Sequence, residues 1–322
     1  MKRRLAIALC ACVLASPAVA QAPAKVHRIG VITLGVPISS PYMEVFRRGL
    51  RDHGHGEGSI VIDHRAANGD ASRLPALARD LVGTTPSLIV VESAPAALAV
   101  AQATKTVPIV MAAGPSPVSL GLAASLSRPG GNVTGVTLAG AARTAKQLQL
   151  LKEVLPAVDT VAVMYNASRP GIEAELKEAV DTAAPLRLQL DLVPVRGAAH
   201  LDAVFEALAR RRAAALVVIG DGVLLGNSRR IAEFAAKSSL PAVFPEREYA
   251  EAGGLMAYGP DIAHNFARAA ALVDKVLKGA KPADTPIEQP LKWGLVINTK
   301  AAKALGVRLP PSVVARADEV IE

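Results

Sequence analysis

Between residues 28 and 258 the chain runs through one order of strand-like and helix-like segments twice, and this repeat limits its fold more than any other feature. In the first pass, residues 28–33 read as a strand and 42–52 as an amphipathic helix. Strand 60–64, helix 72–81, strand 87–91, helix 96–104 and strand 107–111 follow. A short helix at 120–127 and a strand at 132–138 close the series, each judged by period-2 or period-3.6 placement of apolar residues. The second pass answers it with strands at 160–164, 188–193, 215–219, 240–244 and 253–258, and Pro241 falls where Pro108 does. The offset stays near about 120–135 residues, the length of a domain rather than of a solenoid unit.

Strands alternating with helices give a parallel sheet covered on both faces. The expected fold class is therefore α/β, with two similar Rossmann-like lobes, each with a parallel sheet, joined by a hinge. After Tyr258 a helix (265–277), a proline-punctuated stretch (281–290) and a strand (295–298) break the repeat and read as further crossings, about three connections in all. This divides the chain into residues 21–140 plus about 259–285 for one lobe, and 141–258 plus about 286–322 for the other.

In open α/β sheets a ligand sits outside the carboxyl ends of the strands, so the loops there carry the functional information. After the first strand comes Leu34-Gly35-Val36-Pro37-Ile38-Ser39-Ser40-Pro41-Tyr42, and after the third Glu92-Ser93-Ala94-Pro95 opens a helix. Free N–H groups at such a helix start favour a carboxylate, with the Ser93 hydroxyl as a further donor. Ala113 and Ser116 belong to the loop after the fourth strand. The second lobe offers Tyr165-Asn166-Ala167-Ser168, Gly220-Asp221-Gly222, Glu246-Arg247-Glu248-Tyr249 and Tyr258-Gly259-Pro260-Asp261. All four tyrosines of the chain (Tyr42, Tyr165, Tyr249, Tyr258) fall in these segments. A flat apolar ring with a polar tip suits a small organic ligand, although it suits packing at strand ends equally. Asp221, flanked by glycines after a buried strand, reads as the partner of a ligand ammonium or as the N-cap of the next helix. The candidate contacts are Gly35, Ser40, Tyr42, Ser93, Ala94, Ala113, Ser116, Tyr165, Asn166, Asp221 and Tyr258.

The first residues, Met1-Lys2-Arg3-Arg4, an apolar run from Leu5 to Leu14 and Ser16-Pro17-Ala18-Val19-Ala20-Gln21, read as an export signal cleaved after Ala20. The apolar run is shorter than the roughly 20 residues that span a bilayer. Its two cysteines, Cys10 and Cys12, are the only ones in the chain, so the exported part has no disulfide, thiol nucleophile or thiolate metal site. A lipid anchor on Cys10 or Cys12 would leave almost no apolar segment after Arg4. The formal charge of +8 falls to +5 once Lys2, Arg3 and Arg4 are removed. The one basic run, Arg210-Arg211-Arg212, ends a helix, where cations suit the dipole, so no nucleic-acid surface is implied.

Catalytic and cofactor signatures are missing. No Gly-x-Gly-x-x-Gly follows the first strand, and neither a phosphate-binding P-loop nor a Gly-x-Ser-x-Gly elbow occurs. His53, His55 and Glu57, with His64 nearby, fall in and beside a glycine-rich turn that lacks a rigid element to fix metal ligands. No metal and no cofactor are expected. Glu92 with Asp221 is the one carboxylate pair an enzyme on this scaffold would have.

Several segments resemble ABC transporter substrate-binding proteins of the tryptophan/tyrosine-type group. They are Arg28-Ile29-Gly30-Val31-Ile32, Phe46-Arg47-Arg48-Gly49-Leu50, Arg73-Leu74-Pro75-Ala76-Leu77-Ala78, Pro108-Ile109-Val110 and the run from Arg128 to Gly135. The run from Glu251 to Pro260, Lys278-Gly279-Ala280-Lys281-Pro282-Ala283-Asp284 and the closing Ala315-Arg316-Ala317-Asp318-Glu319-Val320-Ile321 extend the likeness over nearly the whole exported chain. The resemblance implies a type I periplasmic binding fold, no enzymatic activity, and a monomer that delivers an amino acid or aromatic carboxylate to an inner-membrane permease. A sensor subunit for a membrane signalling protein is the alternative use of this fold. The signal and the missing helix-turn-helix exclude a transcription regulator. Where relatives often read Gly-Gly-Thr-Pro and Gly-Asp-Pro-Val, this chain reads Glu92-Ser93-Ala94-Pro95 and Gly114-Pro115-Ser116-Pro117-Val118, so the family's ligand does not transfer automatically.

Overall fold

A computed structural model describes residues 26–138, 140–211 and 213–322, with the side chains of 140–142 left aside. The export signal, Cys10, Cys12 and Arg212 of the basic run lie outside the described residues.

The first lobe contains β1 (His27–Thr33), α1 (Pro41–Asp52), β2 (Ile60–Ala66), α2 (Leu74–Gly83), β3 (Leu88–Val91), α3 (Ala94–Ala103), β4 (Ile109–Met111) and β5 (Val133–Gly135). Its five strands pair in the order β2-β1-β3-β4-β5, all parallel. The second contains α4 (Gly140–Val154), β6 (Thr160–Asn166), α5 (Ile172–Ala183), β7 (Gln189–Val195), α6 (Leu201–Arg210), β8 (Ala215–Val218), α7 (Gly222–Leu225), α8 (Ser228–Lys237), β9 (Ala242–Phe244), α9 (Arg247–Glu251) and β10 (Met256–Pro260). There β7-β6-β8-β9-β10 repeats the order of the first sheet. The central strands β3 and β8, Leu-Ile-Val-Val and Ala-Leu-Val-Val, are buried along their whole length, as a parallel strand covered on both faces must be. The edge strands β2 and β7 carry Asp63, Arg65 and Pro194, residues an edge tolerates.

The tail breaks the repeat. Helix α10 (Ile262–Leu277) leaves the second sheet and packs on the first lobe, where Ile262, Phe266, Ala269 and Val273 join Met43, Phe46 and Leu50 of α1 in one core. The helices approach so closely that a Cβ on Gly49 would stand 2.8 Å from the Ala270 Cβ. The chain then returns to the second sheet with β11 (Trp293–Asn298), α11 (Thr299–Ala304), α12 (Pro311–Val314) and β12 (Glu319–Ile321). Strand β11 runs antiparallel to β10, and β12 lies parallel to β11, giving seven strands in all. The returning segment lies beside the first crossing: Val136 bridges Glu288, the Thr137 N–H donates to the Glu288 carbonyl at 2.9 Å, and Arg268 holds the Glu288 carboxylate at 2.7 and 2.8 Å.

Two expected elements differ. Residues 120–127 form turns and bends rather than a helix, because Pro115, Pro117, Gly121 and Pro129 remove donors and permit left-handed backbone. The strand expected at 132–138 pairs only at Val133–Gly135. Gly135 has φ +142, and a Cβ there would stand 2.2 Å from the Met111 carbonyl oxygen.

Candidate ligand-binding site

The loops at the carboxyl ends of the two sheets enclose a cavity between the lobes. Val36 after β1, Glu92 and Ser93 at the β3–α3 junction, and Ala113, Gly114 and Pro115 after β4 line it from one side. Gly220, Asp221 and Gly222 after β8, with Glu246 after β9, line it from the other. Including its mouth, the cavity has about 670 Å³ of empty space.

One wall is apolar. Val36, Leu138, Leu225, Ile262 and Phe266 contribute to it, and Phe266 is held from behind by the Tyr42 ring, stacked at 5.7 Å. The lining also carries charge: Arg143, Arg169, Glu175, Asp221 and Glu246, with Glu92 at the β3–α3 junction. Burial raises the Glu175 carboxyl, but Arg169 and Arg143 outweigh burial and hold it below the usual carboxylate range. Glu175 hydrogen-bonds the Arg169 Nη2 and accepts from the Thr144 hydroxyl at 2.7 Å, while Arg169 Nη1 donates to the Gly220 carbonyl at 3.1 Å.

Arg143 is treated differently. It is 1 % exposed, yet Nη2 stands 3.7 Å from Glu175 Oε1 and Nη1 3.6 Å from Glu246 Oε1, beyond hydrogen-bond length. Its Nε and Nη1 and the Glu246 Oε2 have no hydrogen-bond partner. Burial pushes the Glu246 carboxyl up to about 8 against the pull of Arg143, with Glu248, Asp221 and Glu175 adding to the rise. The guanidinium and the Glu246 carboxylate meet over Gly220, where a Cβ would lie 2.7 Å from Nη1, Nη2 and Oε1 alike.

Asp221 caps α7: its Oδ1 accepts the Val223 N–H at 2.8 Å and the Asn166 amide at 3.0 Å. Burial raises its carboxyl, opposed by those same bonds and by Arg169. Glu92 accepts the backbone N–H groups of Leu34 and Gly35, yet burial leaves its carboxyl raised.

Contacts between lobes surround the cavity. A Cβ on Gly35 would lie 2.0 Å from the Gly222 carbonyl oxygen. Val223 of α7 enters the core formed by α2, α3 and the first sheet. The Tyr42 hydroxyl of α1 donates to Glu248 Oε1 of α9.

Of the residues expected from sequence, Ser93, Ala94, Ala113 and Asp221 line the cavity. Gly35, Ser40 and Tyr42 line an adjoining depression at the lobe contact instead, and the Ser40 hydroxyl caps α1. Asn166 reaches the site through its bond to Asp221. The structure does not bring Ser116, Tyr165 or Tyr258 to the cavity. The Ser116 carbonyl accepts from Ser119. Tyr165 and Tyr258 are strand residues whose side chains follow the face of Val163 and Met256 into the second lobe's core, Tyr258 stacking on Trp293 at 5.7 Å. Tyr249 is buried against Phe244. The tyrosines thus serve packing and lobe contact rather than lining.

Sequence reading did not select Arg143, Arg169, Glu175, Glu246 or Phe266. Glu246 stood in a loop already singled out and Arg169 directly follows another, whereas charged residues in helices, such as Arg143 and Glu175, are ordinary. The available signal was spacing: Arg143, Gln147 and Leu151 recur at intervals of four on the buried face of α4. The turn histidines are occupied elsewhere: His55 Nε2 lies 2.8 Å from Asp274 and His64 Nε2 2.8 Å from the Thr33 hydroxyl. Among the described residues no group of three or more His, Cys, Asp or Glu is placed to hold a metal ion, and no helix is long and apolar enough to cross a membrane.

The tyrosine-binding protein of Clostridioides difficile (strain R20291) is 27 % identical over 289 residues, covering 88 % of this chain and 82 % of that one. A domain from Streptococcus pneumonia in complex with L-Trp has a TM-score of 0.83 at 28 % identity, covering 92 % of this chain and 99 % of that one. A conserved domain protein from Vibrio cholerae gives a TM-score of 0.84 at 27 % identity, covering 91 % and 99 %. The two lobes are those of a type I periplasmic binding protein. Residues 28–321 match the family of ABC transporter substrate binding proteins, and the chain belongs to that family: it binds a substrate and is not an enzyme.

Proposed function

We propose that the protein is the exported receptor of an ABC uptake system and that it captures an amino acid with a large apolar side chain between its lobes. The carrying observation is that one cavity is lined both by apolar side chains, Phe266 and Ile262 among them, and by buried charged ones, Asp221 among them. Asp221 has committed Oδ1 to the fold, and a ligand ammonium would supply the counter-charge that its burial asks for. The apolar wall takes the side chain. L-Trp in the Streptococcus pneumonia domain and tyrosine in the Clostridioides difficile protein are ligands of this chemistry.

Binding would draw the lobes together about the segments near residues 140, 259 and 286, and the closed shape is what an inner-membrane permease would read. The basic and apolar residues before Gln21 would direct the chain to the periplasm, with cleavage after Ala20 and a monomeric product.

A thermal shift of the protein, refolded to strip bound solute, tests this against amino acids and amine-free aromatic acids. A ligand at 100 times its Kd stabilises by about 2.7 kcal/mol, a rise of a few degrees. The proposal expects amino acids to raise Tm and Asp221→Ala to abolish the rise. A response to amine-free acids only, unchanged by Asp221→Ala, would make Asp221 a cap and the cargo an aromatic carboxylate. No response from either class refutes the proposed cargo.

A further inference from the structure

We infer that Arg143 is the residue that reads the ligand's carboxylate, so that Arg143 and Asp221 together grip the two charges of a zwitterionic head group; this rests on the amino-acid reading above. Arg143 is buried, lines the cavity and keeps two N–H groups without partners. Buried donors left unmet are costly, and a charged group more so. Neither neighbouring acid relieves it. Glu175 is committed to Arg169 and Thr144. Glu246 stands 3.6 Å away, beyond hydrogen-bond length, with its Oε2 also lacking a partner, and burial raises its carboxyl against the pull of Arg143. An incoming carboxylate supplies both the missing acceptors and the missing charge.

Position supports the assignment. The guanidinium lies over Gly220, the residue next to Asp221, so the anion and cation receptors come close together in the cavity although far apart in sequence. An α-amino acid presents its carboxylate and ammonium on a single carbon, which matches two receptors placed side by side. The start of α3, the site favoured by sequence for the carboxylate, is poorly equipped for it. Its Ser93 hydroxyl accepts from the Ala96 N–H, and Pro95 has no N–H to offer.

Titration calorimetry on the wild-type protein, Arg143→Gln and Arg143→Lys decides the matter, using L-tryptophan, L-tryptophanamide and indole-3-propionate, and the corresponding tyrosine set. Wild type is expected to prefer each amino acid over its amide by about 10- to 100-fold. In Arg143→Gln that preference collapses while amide binding stays within about threefold, and Arg143→Lys restores part of it. Because the ratio is taken within one variant, a general loss of stability cancels. A preference that survives Arg143→Gln, or a wild type indifferent to amidation, overturns the assignment and leaves Arg143 solvated by buried water. Loss of the amine-free acid alone in Asp221→Asn, with Arg143→Gln silent, likewise overturns it. If wild type binds no member of either set, the amino-acid reading itself falls, and this assignment with it.

Discussion

Tyr42→Phe removes one hydrogen bond that crosses the lobe contact and should be lost when the lobes part, and its size can be worked out. The Tyr42 hydroxyl on α1 donates to Glu248 on α9, across the lobe contact. Burial raises the Tyr42 hydroxyl pKa, and the nearby Glu248 raises it further, so the group remains a donor at any working pH. Phenylalanine keeps the ring stack on Phe266 at 5.7 Å, so the apolar wall of the cavity is unchanged. A hydrogen bond to a charged partner is worth about 1.5–3 kcal/mol, but both side chains are only half-buried, and about 1–1.5 kcal/mol remains after solvent screening. In the open state both groups are hydrated and lose nothing. The whole cost therefore falls on closure, and apparent affinity should weaken by about five- to twelvefold. Calorimetry should show the change in Kd, and stopped-flow dissociation should place most of it in a faster release rate. The ligand-free protein should melt at the wild-type temperature. An unchanged Kd, or a loss of stability in the ligand-free protein equal to that in the bound one, would show that the contact does not distinguish closed from open and would refute the reasoning.

Gly35→Ala should abolish binding, by roughly 100-fold or more, with wild-type circular dichroism and melting of the free protein, since the new Cβ would meet the Gly222 carbonyl at 2.0 Å only on closure. The pH dependence follows from Glu246, whose carboxyl is raised by burial from its ordinary 4.5 to about 8 in the folded protein. Between those values the folded state holds a proton that the unfolded state has released, so this group lowers stability as pH rises. The slope is about 1.4 kcal/mol per pH unit, ending once the folded group ionises. Urea unfolding at pH 5 and pH 7 should therefore show Glu246→Gln gaining on wild type as pH increases; a constant difference would mean that Glu246 is ionised in the fold.

Much of the architecture was legible because local pattern and global topology agree. The buried strands at 88–91 and 215–218 and the proline preceding β4 and β9 mark two lobes of the same strand order. The helix expected at 120–127 failed because proline and glycine punctuation outweighs apolar spacing there. Ser93, Ala94, Ala113 and Asp221 fall on the cavity lining because strand ends at a parallel sheet's carboxyl edge are readable from order alone. The tyrosines fall away from the cavity because nearness to a strand end does not say which face a side chain takes; Tyr165 and Tyr258 go with the core-facing alternation of β6 and β10.

The sequence by itself determined the two-lobed α/β fold and the rims from which a ligand must be held, because strand order and the carboxyl edge follow from periodicity and connection length. Only the tertiary structure decided the chemistry of the inner wall. Arg143, Glu175 and Glu246 come from three separate stretches of chain, and the meeting of Arg143 and Glu246 over Gly220, with Glu175 beside Arg143, depends on how α4 and α5 pack against the second sheet. Long-range packing sets which charges are paired and which are left waiting for a ligand, and no local pattern encodes that.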